Sequence, residues 1–419
     1  MNIHVTLPPS ATNSFVSIFG FSAFFIALLI IKLLKPFNDN PVYSALFIIT
    51  CFSCAVAFLD ILLQKVFANP STGLDLTYKN PSVSRSLTKI TGFLGSLSFI
   101  SLLYWVFPEY HGDFYAPFWE AASFVMPAFM CIAPIYIYLI DRHMLEPTDG
   151  YWHLGLFLTF RFRQIDYKKL WQHVLGWIVK GFFLPLMFVY MCNDINSFIE
   201  FDFHQKASFQ VLLNSLSDFL FFIDVTIATA GYIVSLRFID THIRSTEPTV
   251  FGWVVALICY QPFYSLIGGQ YLDYHRDYSW NDWLESGSLI YYVWGSVEVF
   301  MVFIYTWATI SFGLRFSNLT NRGIITSGPY RWTKHPAYFA KNISWWMLSV
   351  PFIADGSSSE VIRNCIMLGL LNFCYYLRAR TEEKHLSVDK NYMNYASWIA
   401  ENGIIVKIKR VFLKKNNTY

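Results

Sequence analysis

Apolar blocks of roughly twenty residues recur along this chain, and a helix of that length crosses the ~30 Å hydrocarbon layer of a bilayer. They fall near 13–34, 42–64, 88–107, 118–140, 171–192, 212–236, 251–269 and 284–312, with a shorter pair near 343–354 and 361–377. Inside lipid every backbone N–H and C=O must find a partner within the protein, which a helix provides by itself. The pattern therefore predicts an all-α polytopic integral membrane protein of about ten transmembrane helices, ending in a short helical hairpin. Of the 419 residues, 55% are hydrophobic and 14% charged, too few polar groups to cover a soluble protein of this length. No charged leader with a small-residue cleavage site precedes the first block, so that block reads as a retained span. The stretch from Ser344 to Ile353 is too short to cross alone and suits half of a hairpin or a re-entrant segment.

Basic residues set the orientation. The loops at 65–89, 141–170, 237–250 and 313–341, with the tail from 378, hold 25 of the 31 Lys and Arg residues. Lys32, Lys35, Lys206 and Arg276 fall on the other side, and Lys180 and Arg363 fall inside spans. Both termini are thus predicted to be cytoplasmic. The formal net charge of +3 follows from this loop bias and suits anionic lipid headgroups, with no call for nucleic acid. The aromatic and basic loop segment His153–Arg163 is expected to lie along the interface. All seven cysteines sit in apolar stretches; Cys51 and Cys54 form a C-x-x-C in mid-span, where small buried side chains are expected and no metal site is indicated.

Other polar signals are local. Asp141-Arg-His143 before Glu146-Pro-Thr148 is echoed by Asp240-Thr-His242 before Glu247-Pro-Thr249. The plain reading is two helix exits, each followed by a proline that starts the next helix; the sharper one is a pair of loops shaping one polar entrance. Asp218, Asp224 and Glu298 lie within predicted spans, where an ionisable group costs a few kcal/mol. Interhelical hydrogen bonding is the expectation for the two aspartates, while Glu298 adjoins the region described next.

Two C-terminal stretches carry the chemical signal: Gly328-Pro-Tyr-Arg-Trp-Thr-Lys-His-Pro-Ala-Tyr338, and Arg378-Ala-Arg-Thr-Glu-Glu383 followed by Tyr392 and Tyr395. Both fall on the predicted cytosolic side, and the short helical pair between them could bring the second back to the first. In this order and spacing they resemble the isoprenylcysteine carboxyl methyltransferase family, with membrane phospholipid N-methyltransferases sharing a looser form. The resemblance covers roughly 285–400 and divides the chain into N-terminal helices of unassigned role (1–283) and a methyltransferase-like membrane domain (284–419). It implies an S-adenosylmethionine cofactor held by Tyr330, His335, Pro336 and Tyr338 on one wall and by Arg380, Glu382 and Glu383 on the other. It also implies an amphiphilic or lipid-like acceptor, with Arg331, Lys334 and Arg378 near its reacting group. Three positions depart from the family pattern: Lys334 in place of Arg, Ala340 in place of Gly, and Asp389 in place of Gly.

These residue types suit the chemistry. Carboxylates accept hydrogen bonds from ribose hydroxyls or an ammonium group, and tyrosine faces attract a sulfonium cation. Methyl transfer needs in-line positioning and exclusion of water. No G-x-G-x-x-G follows a strand, so a soluble dinucleotide-type cofactor site is not indicated. The plainer alternative makes Arg378 and Glu382 an exposed i, i+4 pair and His335-Pro336 loop punctuation. Two other classes compete. NADPH-dependent membrane sterol reductases resemble this region, but with H-x-N-Y and R-D where this chain has His335-Pro-Ala-Tyr338 and Glu382-Glu383. A transporter or scaffold with a degenerate methyltransferase tail would use Asp218, Asp224 and Glu298 to line a pathway.

Overall fold

The computed structural model describes residues 6–201, 208–274, 279–353 and 357–416. In order these form α1 (Ser14–Leu34), α2 (Pro41–Leu62), α3 (Val83–Val106), α4 (Ala116–Asp141), α5 (Gly150–Leu158), α6 (Tyr167–Glu200) and α7 (Phe209–Ile233). There follow β1 (Ser245–Thr246), α8 (Val250–Leu257), α9 (Phe263–Ile267), α10 (Trp280–Trp283), α11 (Leu289–Phe312) and β2 (Thr320–Asn321). The chain ends with α12 (Pro336–Ser349), α13 (Ser358–Leu386), α14 (Lys390–Asn402) and α15 (Ile404–Asn416). It is an all-α polytopic membrane protein, and among the described residues α1, α2, α3, α4, α6, α7 and α11 are long and apolar enough to cross a bilayer.

The remaining expected spans take other forms. The block at 251–269 is broken, with α8 stopping at Leu257 and only the five residues of α9 following. Pro262 lacks an N–H and Gly268-Gly269 disfavours helix, so the apolar run cannot continue as one rod. The short pair near 343–354 and 361–377 extends toward the polar motifs at both ends, as α12 and α13. The segment His153–Arg163 holds the end of α5, a nine-residue helix too short to span, and a short 3-10 turn. Lys206 and Arg276 lie outside the described residues. Lys89 and Lys341, counted above with the loops, lie inside α3 and α12.

Helix ends follow the capping residues in the sequence. Asn40 accepts from the N–H groups of Val42 and Tyr43, with Pro41 at the first helical position of α2. Asp166, Ser208 and Ser288 cap α6, α7 and α11 in the same manner. The main core lies where α1, α2, α6, α7 and α11 meet, built on Phe24, Ile48, Phe52, Ile195, Phe222 and Val302. Asp224 of α7 accepts from Tyr305 Oη (2.6 Å) and Thr309 Oγ1 (2.5 Å) of α11, the interhelical role anticipated for it. Asp218 differs, lying on the exposed side of α7, and Glu298 is buried in α11. Among the cysteines only Cys192 is buried; Cys54 and Cys131 lie exposed on α2 and α4, so the expectation of buried cysteines fails there.

The two parts of the chain on either side of residue 283 interlock. Strands β1 and β2 pair antiparallel, Ser245 opposite Asn321 and Thr246 opposite Thr320. Arg322 is buried and donates to the carbonyls of Gly231 (2.6 Å), Phe316 (2.9 Å) and Val234 (2.7 Å), closing the open end of α7. Asp240, also buried, accepts from Ser71 Oγ (2.8 Å) and pairs with Arg244 (3.2 Å) and Arg315 (3.3 Å). Removing one partner from such a buried pair is strongly destabilising, because the other charge stays behind. The echoed motifs do not converge on one entrance. Asp141 pairs with Arg85 (3.0 Å) and Lys89 (2.8 Å) and Glu146 is exposed, whereas Glu247 lines the cleft described below.

Candidate functional site

The two sequence stretches meet across the α12–α13 hairpin. Gly328 opens the first with φ +59°, a left-handed conformation, and a Cβ there would lie 2.4 Å from Ser311 Oγ, so glycine is required. The following turn, Gly328–Arg331, is held from behind by Tyr395 of α14, whose hydroxyl donates to the carbonyl of Tyr330 (2.7 Å). His335 is the residue before α12 and Pro336 its first, where a missing N–H costs no helical bond. Tyr338, one turn in, stacks its ring parallel to that of His335 at 5.5 Å.

From the facing helix α13, Glu382 accepts from Tyr338 Oη, and Glu383 accepts from His335 Nε2 (3.1 Å) while pairing with Lys334. The hydrogen bond from His335, reinforced by Lys334, holds the Glu383 carboxyl down at about 2 against partial burial. Arg378 lies a turn deeper. Its guanidinium sits 5.0 Å from the ring of Tyr338, 5.3 Å from Tyr260 and 5.9 Å from Tyr375, and Nη2 donates to Asn318 Oδ1 at 2.6 Å. Arg378 is only 4% exposed, so its 3.4 Å pair with Glu382 is not the exposed helix pair of the plainer reading.

The space between these walls is a cleft of about 170 Å³ that opens to solvent. Of the residues nominated from sequence, Tyr330, Lys334, His335, Tyr338, Arg378 and Glu382 line it. Pro336 is buried behind it and Glu383 braces Lys334 and His335. Arg331 and Arg380 are exposed and do not line the cleft; among the described residues Arg380 pairs with Glu383, at 3.4 Å. Tyr392 and Tyr395 form its floor, and the Tyr392 hydroxyl is buried with no hydrogen-bond partner among the described residues. Such an orphaned hydroxyl suits a polar ligand.

Sequence reasoning missed several wall residues. Tyr260 and Glu247 come from the segments around α8, outside both motifs. Asn318, Lys341 and His385 flank the motifs without belonging to them. His385 is bonded to Ser245 Oγ at 2.9 Å through Nε2, and Glu247 lies 4.0 Å from Nδ1. Burial lowers the His385 pKa, outweighing Glu247 and Glu382. Only the Glu247-Pro-Thr249 echo pointed at any of these positions. Two of the departures from the family pattern have visible roles. Ala340 is fully buried, and Asp389 caps α14 while accepting from Asn321 Nδ2 (3.2 Å).

The fold is thus a bundle of apolar spans with a polar cleft beside a C-terminal helical hairpin. Residues 290–388, about a quarter of the chain, match the isoprenylcysteine carboxyl methyltransferase (ICMT) family. The family resemblance read from the motifs therefore holds, and this segment is a membrane methyltransferase module. Comparison with curated proteins and with solved structures gives no match.

Proposed function

We propose that the protein is an S-adenosylmethionine-dependent methyltransferase acting on a carboxylate-bearing amphiphile, isoprenylcysteine-like or lipid, at the cytosolic face of its membrane. The observation that carries this reading is the meeting of His335, Tyr338, Glu382 and Arg378 around one cleft inside the matched segment. When bound, S-adenosylmethionine would supply a methyl group on a sulfonium centre. Glu382 is placed to accept from ribose hydroxyls or an ammonium group, and the orphaned Tyr392 hydroxyl offers a further polar contact. The rings of Tyr260, Tyr338 and Tyr375 pack around the Arg378 guanidinium and give the site an aromatic wall.

Arg378 is assigned the acceptor. Its guanidinium is fixed by Asn318 and three tyrosine rings, and an acceptor carboxylate would be oriented by it. A carboxylic acid with a pKa near 4 is already a nucleophile at neutral pH and needs no general base. Burial holds the His385 pKa below the ordinary histidine value. The cytosolic orientation rests on the excess of basic residues in and beside one set of loops, and lateral entry of the acceptor from the inner leaflet would follow.

The test is transfer of labelled methyl from S-adenosylmethionine to a prenylated cysteine carboxylate and to phosphatidylethanolamine, followed from about pH 6.5 to 8.5. A nearly flat profile with the carboxylate is expected. A tenfold rise per pH unit with the amine as the only acceptor would replace the carboxylate reading. Arg378→Lys keeps the charge but loses the fork, and should impair acceptor use more than cofactor affinity.

A further inference from the structure

Lys341 has no role in either motif, yet it lines the same cleft. It stands three residues beyond Tyr338 on α12, so the two side chains share a helix face, Lys341 about 4.5 Å further along the axis from His335. Its ammonium lies 5.1 Å from the ring of Tyr305 and 5.4 Å from that of Trp345. Among the described residues no carboxylate comes within 4.0 Å of it and it donates no side-chain hydrogen bond. Asp224, hydrogen-bonded to Tyr305 and Thr309, acts on the ammonium only through space from beyond 4.0 Å and makes no direct ion pair with it.

Apart from Arg378, which the reading above gives to the acceptor, the other cations lining the cleft are committed. Arg315 pairs with Asp240 and Arg322 with backbone carbonyls. Lys334 pairs with Glu383, and Arg378 is bound to Asn318 and pairs with Glu382. A lysine in low-dielectric surroundings needs a counter-charge, because unpaired burial is costly. Aromatic faces supply only part of that, roughly 0.5–2 kcal/mol.

We infer that Lys341 binds the anionic head group of the methyl acceptor, on the far side of that group from Arg378, and so selects acids over neutral amphiphiles of the same shape. This rests on the methyltransferase reading above and goes beyond it in assigning the selectivity to one residue outside the family motifs. The head group would lie between α12 and α13, with its apolar body running past Tyr305 and Trp345.

The experiment measures calorimetric binding of two probes to the full chain in detergent: an N-acetylated farnesyl-cysteine acid, and the neutral amide of the same molecule. S-adenosylmethionine is titrated in parallel with every variant. The parent should prefer acid to amide; Lys341→Met should lose roughly ten- to a hundred-fold of acid affinity with amide affinity unchanged, and Lys341→Arg should restore the preference. Unchanged cofactor binding by Lys341→Met reports that the variant is folded. Equal preference for the acid in the parent and Lys341→Met overturns the inference, as does a parent that does not distinguish the probes. Loss of S-adenosylmethionine affinity in Lys341→Met alone also overturns it, since the anion would then be the cofactor's own carboxylate. A parent that selects the acid through Lys341 but does not bind S-adenosylmethionine leaves the anion site standing and removes the methyltransferase reading.

Discussion

Tyr338 and Glu383 connect the two walls through different physics, and each predicts a different response to substitution. Tyr338 donates its hydroxyl to the carboxylate of Glu382 from beneath the ring of His335. Tyr338→Phe keeps the ring and loses the charge-assisted bond, worth about 1.5–3 kcal/mol. It should lower thermal stability, and activity should fall as Glu382 loses its orientation; an unchanged melt would mean that the bond contributes nothing. Glu383 is held at about 2, below its ordinary 4.5, by His335 and Lys334. Because the folded value is the lower one, its stabilisation is complete above about pH 4.5 and is lost as pH falls toward 2. Melting temperatures between pH 5 and 2.5 should fall less steeply for Glu383→Gln than for the parent, and parallel curves would refute the pairing.

The α12–α13 hairpin determines whether the motifs meet at all. Inside it Trp346 Nε1 donates to Asn372 Oδ1 (2.6 Å) and Asn372 Nδ2 to Asn342 Oδ1 (3.1 Å), tying the two helices through polar groups. Asn372→Leu should cost about 1 kcal/mol, the scale of such bonds between membrane helices, and should weaken cofactor binding by loosening the wall that carries Glu382. Denaturant titration with a cofactor-binding assay checks both. The long spans were legible in the sequence because hydrocarbon thickness dictates their length, and caps such as Asn40 and Ser208 end them predictably. The break after Leu257 was written there too, in Pro262 and Gly268-Gly269, but a run of apolar residues overrode it. Motif residues His335, Tyr338 and Glu382 could be paired from their order along the chain. Tyr260, Asn318 and Lys341 could not, since nothing in their local sequence says which helix faces which.

At the level of the whole molecule, segments on both sides of residue 283 contribute to the cleft wall. Glu247 and Tyr260 line the cleft, Ser245 bonds His385, and β1 pairs with β2 across the expected domain boundary. The orientation of this assembly is a prediction from charge: Ser327→Cys and Gly403→Cys should resist an impermeant thiol reagent in intact cells and react after lysis, with exposed native cysteines replaced. Labelling of Ser327→Cys in intact cells would move the cleft to the other side of the membrane. The central claim is that the cleft is a cofactor site, and calorimetric titration of the purified full chain with S-adenosylmethionine tests it most directly. The parent should bind it and its demethylated product but not NADPH, and Glu382→Ala should bind it roughly ten- to a hundred-fold more weakly. Binding of NADPH without S-adenosylmethionine, or equal affinity in the parent and Glu382→Ala, would contradict the account.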